Sequence, residues 1–263
     1  MVKELLQSML VHPEARDLDI DTPAAVLRHA RMIRQKSFLR RLYRDWYGSL
    51  RAGLPSGVPG AVVELGSGGG FIREVIPEAV TTDIQPTAGL CMALDATAMP
   101  FRNRSLKAIL MVDVLHHLSC VSDFFQDASR CVNAGGVIAM IEPWSTATSR
   151  FFYRRFHREP FDSDRPHWHL PRGGPMSVAN QALPWILFQR DRSRFLKTFP
   201  QWNLQAIRLH TPFRYILSGG VSYRGLTPAA TYAFWRALEQ KLAPMVHYLG
   251  MFATITLVRK PGV

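Results

Sequence analysis

With 263 residues, 47% of them hydrophobic, the chain can bury a full core as one domain with insertions. Its 20% charged residues exclude a disordered class, and no stretch approaches the ~20 apolar residues of a membrane helix. A net charge of +12 points to an acidic partner, whether a phosphorylated substrate, an anionic membrane surface or nucleic acid, with a merely solvated basic surface as the plain alternative.

The charge is unevenly spread. Arg28–Arg51 holds eight Lys/Arg against one acid, and Ser145–Pro200 holds ten against four. The opening "MVKELLQSMLVHPEARD" mixes charge with apolar residues and lacks a signal-peptide core and cleavage site. Cys91, Cys120 and Cys131 are scattered without metal-ligand spacing and read as reduced thiols. Both features lead to the expectation of a cytoplasmic protein.

In chain order, residues 1–60 read as an N-terminal helical cap that ends in the connector "LPSGVPG" (Leu54–Gly60). "AVVEL" (Ala61–Leu65) is the first strand, and "FIREVI" after the glycines presents a helical face. "VTTDI" (Val80–Ile84), "LCMALDA" (Leu90–Ala96) and "KAILMVDVL" (Lys107–Leu115) are further strands. "DFFQDASRCV" (Asp123–Val132) is a helix stopped by "NAGG", before a fifth strand, "VIAMIEP" (Val137–Pro143). Residues 61–144 thus form an α/β core with a parallel sheet. Residues 145–200 read as a basic, aromatic insertion over the carboxyl edge of that sheet. Residues 201–263 complete it: strand "WNLQAIRLH" (Trp202–His210), a helix over Pro228–Met245, and a final strand "MFATITLVRK" (Met251–Lys260) that pairs antiparallel.

Four glycines among the five residues Gly66–Gly70 follow the first strand directly. Glycine there allows positive φ and lets a ligand approach bare backbone, and a helix N-terminus would follow with free N–H groups. That placement reads as a nucleotide-type site rather than a linker. Asp83 ends the second strand, 19 residues past Glu64. A carboxylate there can accept from both ribose hydroxyls; a strand-end turn former is the alternative. Asp95 ends the third strand, where a carboxylate or backbone group can accept from an adenine amino group. A dehydrogenase is disfavoured, because G-x-G-x-x-G counted from Gly66 would need a glycine where Phe71 stands.

Taken together, Glu64 to Gly70, Asp83, "DATAMPF", "DVLHHL" and "NAGGVIAMIEP" resemble the class I S-adenosylmethionine-dependent methyltransferases, most of all the broad small-molecule and ubiquinone-biosynthesis-type subgroup. The resemblance spans about Ala61–Pro143. It implies a Rossmann-like seven-stranded sheet with helices on both faces and an antiparallel last strand, with S-adenosyl-L-methionine as cofactor. It places Glu64, Gly66, Ser67, Gly68 and Gly70 around the methionine end of the cofactor. Asp83 would hold the ribose and Ile84 would pack on adenine. Asp95 and Ala96 would meet the adenine edge, and Val112 and Asp113 would lie beside the transferred methyl.

A sulfonium methyl is already activated, so the protein must align a nucleophile and exclude water. An oxygen nucleophile must also lose a proton, and His116 or His117, just past the fourth strand, could be the base. Equally, both could be structural. Glu142 and Trp144 face the same edge; Glu142 could orient substrate or simply end its strand. No Cys/His or carboxylate set suggests a metal. In the insertion, Arg150, Arg154, Arg155 and Arg158 interleave with Phe151, Phe152, Tyr153, Phe156 and Phe161. Such a segment could bind nucleic acid, sit at a membrane interface, or fold as a lid with its rings in the core. Arg150, Tyr153 and Arg154 are expected at the substrate. The N-terminal helices repeat the basic-aromatic theme. The pattern favours an anionic, amphipathic acceptor such as a lipid-linked glycan or prenylated intermediate, methylated at oxygen at a membrane surface. The alternatives are an RNA methyltransferase and a non-catalytic scaffold of this fold.

Overall fold

Seven strands, β1 (Ala61–Leu65), β2 (Val80–Asp83), β3 (Met92–Ala93), β4 (Leu106–Val112), β5 (Val132–Pro143), β6 (Trp202–His210) and β7 (Phe252–Arg259), form one sheet in the computed structural model. The structure describes residues 10–15, 18–171, 173–174 and 176–262. Residues 1–9 and 16–17 of the opening stretch, and 172 and 175 of the insertion, lie outside them. The strand order is β3-β2-β1-β4-β5-β7-β6. The first five strands are parallel, and β7 runs antiparallel to both β5 and β6, as expected. Ala108, Ile109, Leu110 and Met111 of β4 are all fully buried, which requires cover on both faces of the sheet. The chain leaves β1 toward β2 and returns on its other side as β4. This reversal opens a crevice at the carboxyl ends of the strands, where ligands bind in such sheets.

Helix α1 (Pro23–Gln35) starts where the Thr22 hydroxyl accepts from Ala25 N at 3.4 Å, with Pro23 at its first position. Helix α2 (Ser37–Ala52) buries a stripe of Phe38, Leu39, Leu42, Trp46 and Leu50 against the core. Burying those side chains is worth on the order of 10 kcal/mol before the entropy of ordering them. Helix α3 (Val121–Cys131) buries Val121, Phe124, Phe125, Ala128 and Cys131.

Several elements differ from the sequence reading. "FIREVI" makes only one 3-10 turn, Ile72–Glu74, and no helix. Pro77 disfavours the helical conformation of Ile76, and the glycines before Phe71 contribute no helix propensity. The anion-binding helix N-terminus is therefore missing. The third strand shrinks to Met92–Ala93. The "NAGG" stretch does not end α3 as a loop; β5 begins at Val132, directly after Cys131. The region after residue 227 breaks into a 3-10 turn, a helix Tyr232–Lys241, and a second 3-10 turn around Pro244. Within residues 145–200, helix α4 (Ala147–Phe156) is set by a Thr146–Ser149 capping box, and a longer irregular segment follows it.

Candidate active site

The glycine turn is tied down on two sides. Ser67 N donates to Thr82 O at 2.8 Å, and Thr82 N donates to Ser67 Oγ at 3.1 Å, so the turn is locked to β2. Gly68 has a φ of +49° and donates its N–H to Asp83 Oδ2 at 2.8 Å. A side chain there would be strained in that conformation. Gly69 serves packing instead: a Cβ there would collide with the backbone of Ala30 in α1.

Glu64, at the end of β1, is 2% exposed, and its Oε2 is buried with no hydrogen-bond partner. Burial pushes its carboxyl up to about 7, against the pull of the Ser67 and Tyr47 hydroxyls. A buried carboxylate oxygen without a donor is a demand for one. Asp83 accepts from Gly68 N and, through Oδ1, from Gln85 N at 2.9 Å. Each carboxylate oxygen keeps a second lone pair. Asp95 Oδ1 accepts from Thr97 N and Oγ1 at 2.8 and 2.7 Å. Ile84 is 51% exposed, an apolar side chain held open at the rim.

One cavity of about 610 Å³ joins these groups, in the size range of small-molecule sites. Glu64, Gly66, Ser67, Gly68, Gly70, Asp83, Ile84, Asp95, Ala96, Val112, Asp113 and His117 all line it. Its far wall is largely apolar and comes from both termini of the fold: Leu18, Val26 and Ile33 from the N-terminal region, Ile216, Val221 and Leu226 from the C-terminal one. The segment after β5 adds Phe152, Phe156, His157, Arg158 and Glu159.

The two histidines are not equivalent. His116 is 1% exposed and does not reach the cavity. Its Nδ1 meets Glu142 Oε2 at 2.8 Å and its Nε2 meets Glu159 Oε2 at 3.2 Å. Burial opposes its charge, but the two carboxylates outweigh that and raise it well above an ordinary imidazole. His117 lines the cavity; its Nδ1 lies 3.3 Å from Val178 O, and burial lowers it to about 4. Asp113 has a φ of +65°, an uncommon conformation for a non-glycine residue, and burial pushes its carboxyl up to about 7. Burial also opposes ionisation of Glu159, but His116, His117 and His157 together hold it well below the usual carboxylate range.

Other expected substrate residues stand elsewhere. Glu142 is fully buried and accepts from Val114 N at 2.9 Å and Leu115 N at 2.7 Å, as well as holding His116. Trp144 is in the core. Tyr153 is buried with its hydroxyl on Met251 O at 2.9 Å. Arg150 Nε donates to Thr146 O at 3.2 Å and Arg154 reaches Ser163 Oγ at 3.3 Å, both outside the cavity. The alternation of Arg and Phe along α4 cannot say which residues face inward; a helix turns 100° per residue, and Tyr153 is buried while the half-buried Phe152 and the more exposed Phe156 border the cavity. The sequence reading missed Glu159. Its signal was present, since it is the single acid between Arg150 and Phe161.

Comparison with known families matches residues 63–140 to the methyltransferase domain. The chain carries a methyltransferase domain. Among similar solved structures, the two with TM-scores of 0.54 share the fold. One is a chain of the complex between the Haloferax volcanii Trm112 methyltransferase activator and a methyltransferase: 13% identity, TM-score 0.54, covering 95% of this chain and 99% of that one. Another is a Thermotoga maritima S-adenosylmethionine-dependent methyltransferase, described as a possible histamine N-methyltransferase: 12% identity, TM-score 0.54, covering 90% and 99%. A third, geranyl diphosphate C-methyltransferase from Streptomyces coelicolor A3(2), bound to S-adenosyl-L-homocysteine among other ligands, gives 12% identity and a TM-score of 0.47 over 84% and 80%. Comparison with curated proteins finds no match. No helix among the described residues is long and apolar enough to cross a membrane.

Proposed function

We propose that this methyltransferase transfers the methyl group of S-adenosylmethionine to an oxygen of an amphipathic, anionic small acceptor. The observation that carries this reading is one continuous cavity. It runs from the glycine turn, Asp83 and Asp95 to an apolar wall, and Arg158 and Arg224 also line it. The first end suits the cofactor. Glu64 has an unpartnered carboxylate oxygen for the methionine ammonium, beside the backbone of Gly66–Gly70. Asp83 keeps lone pairs for the ribose hydroxyls, and exposed Ile84 offers an apolar face to adenine, with Asp95 and Ala96 at the ring's edge. Val112 and Asp113 lie next to the reacting centre.

The other end suits the acceptor. Its apolar wall takes the acceptor's body, and the arginines take a negative group. S-adenosylmethionine supplies a sulfonium methyl already activated toward a nucleophile. What remains for the protein is to hold the acceptor oxygen in line, keep water out and take the proton that the oxygen releases. His117 takes that proton; the His116 ring packs against it, centroids 4.2 Å apart, and Glu142 holds His116 in turn. Walls from both ends of the chain favour a small molecule over RNA, whose bases and backbone need an open groove.

The acceptor's apolar part is best supplied from a membrane. Outside the cavity, Phe151 is 56% exposed with the Arg155 guanidinium over its ring at 4.6 Å, next to Arg150 and Arg154 on α4. Such a face matches an anionic lipid surface. Calorimetry with S-adenosylhomocysteine tests the cofactor half: binding is expected, and Asp83→Ala should weaken it ~10–100-fold through lost charged hydrogen bonds. No binding at millimolar ligand would overturn the assignment. A methyl-transfer screen with labelled cofactor against lipid, glycan and RNA fractions tests the acceptor half.

A further inference from the structure

We propose that His116, His117 and Glu159 form a binding site for one divalent transition-metal ion, open to the cavity. Their ligand atoms lie within 4.8 Å of one another. His116 Nε2 stands 3.2 Å from Glu159 Oε2, and His117 Nε2 stands 3.8 Å from Glu159 Oε1. Two ligand atoms on a tetrahedral zinc ion sit roughly 3.3–3.5 Å apart, given bond lengths of about 2.0–2.1 Å. The two separations bracket that value.

Hydrogen-bond roles decide between an ion and a simple network. Glu142 already accepts two backbone N–H groups and holds His116 Nδ1 at 2.8 Å, so Nδ1 must carry the proton. The Val178 carbonyl can only accept, so His117 Nδ1 carries its proton too. Both Nε2 atoms then present lone pairs to the lone pairs of Glu159. A second proton on His116 would answer only one of these contacts. A divalent cation answers both.

The surroundings match what metal ligands require. A histidine ligand is usually oriented by an outer partner on its other nitrogen, and a ligating carboxylate is itself hydrogen-bonded. Here Glu142 backs His116, the Val178 carbonyl backs His117, and Gln181 Nε2 donates to Glu159 Oε2 at 3.0 Å. Imidazole with one carboxylate suits zinc and its neighbours rather than magnesium or calcium. Three protein ligands leave a position free, as in catalytic rather than structural sites. His117 and Glu159 both line the cavity, so that position faces the acceptor space. His117 would then act on the acceptor through the ion.

The ion can be tested without cofactor or acceptor, so the result does not depend on the proposed reaction. Full-length, tag-free protein is stripped with a chelator, dialysed and titrated with Zn2+ by calorimetry, and its metal content is read by mass spectrometry. One zinc per chain is expected. His117→Ala and Glu159→Gln should each lower affinity at least ~100-fold, and Glu142→Gln about 10–100-fold as an outer partner. A cooperative thermal melt shows that each variant is folded; for one that lacks it, Co2+ absorption in the wild type, which reports ligand type and geometry, carries the test. No uptake by the stripped wild type overturns the proposal. So does equal uptake by a His117→Ala, Glu159→Gln double variant, which would place the zinc on exposed groups.

Discussion

Replacing Glu64 by Gln tests whether its carboxylate is held ready for a cation. Burial moves this carboxyl from an ordinary 4.5 up to about 7. The folded protein therefore holds a proton on Glu64 that the unfolded chain has lost between those two values. The sign follows: Glu64 favours the folded state at pH below 4.5, that contribution fades as pH rises, and it is gone above about 7. The rise from 4.5 to about 7, at ~1.36 kcal/mol per pH unit, sets a ceiling of ~3 kcal/mol. Between pH 5 and 8 the cofactor-free wild type should lose about 2–3 kcal/mol more than Glu64→Gln, which cannot titrate. For a chain of this size that is a difference of about 5–10 °C in the melting shift. The assay is a pair of thermal melts at pH 5 and 8 for each protein. Parallel pH slopes in both would refute the reasoning, because they would mean Glu64 ionises in the apo protein at no cost. Calorimetry supplies the second half: at pH 8 the variant should bind S-adenosylhomocysteine more weakly, having lost the acceptor for its ammonium.

The histidine pair should separate cleanly. His117→Asn should keep its melting temperature near wild type and lower turnover by ~10²–10⁴-fold, whereas His116→Asn should cost about 3–5 kcal/mol of stability by leaving Glu142 and Glu159 without their shared partner. Equal melting temperatures for the two variants would show that His116 does not hold the network. Wild-type protein should sediment with anionic vesicles at low salt and release as salt rises. Neutralising Arg150, Arg154 and Arg155 to Gln should weaken that binding up to ~100-fold, at about 1 kcal/mol per charge; retention by RNA but not by vesicles would instead favour a nucleic-acid acceptor.

The sheet was legible because its signals are local. "AVVEL" and "WNLQAIRLH" became strands with the expected bounds, since a buried run between turn residues has few other readings. The glycine turn and Asp83 were legible because the spacing from strand end to strand end is set by the parallel crossover itself. The turn after Phe71 was misread because its apolar spacing is helical, while Pro77 and the preceding glycines decide otherwise. Inward and outward faces of α4 were not legible, because every position from Arg150 to Phe156 is either Arg or aromatic. Tyr153 and Phe151 carry similar side chains, yet one is in the core and the other is 56% exposed.

The acceptor end was illegible for a different reason, namely distance along the chain. Glu159 lies 43 residues past His116, and Gln181 another 22 beyond that. No spacing rule joins them; only the path of the segment after β5, back over the end of β4, does so. That path is fixed by apolar anchors in the core, Phe161, Trp168 and Leu170, and by polar contacts: Asn180 N donates to His116 O at 2.9 Å, and Gln181 N donates to Pro160 O at 3.0 Å. Each element there would pay for unpaired backbone groups if the segment lifted away. The glycine turn alone could serve many nucleotides. What distinguishes this chain is a segment whose own hydrogen bonds set Glu159 between two histidines at the far side of the same cavity. Chemistry specific to one acceptor should therefore respond to changes in residues 157–181, while cofactor affinity responds to Glu64 and Asp83. Measuring both affinities across variants of the two groups would show whether the halves of the cavity are separable; coupled losses would mean that the segment also shapes the cofactor end.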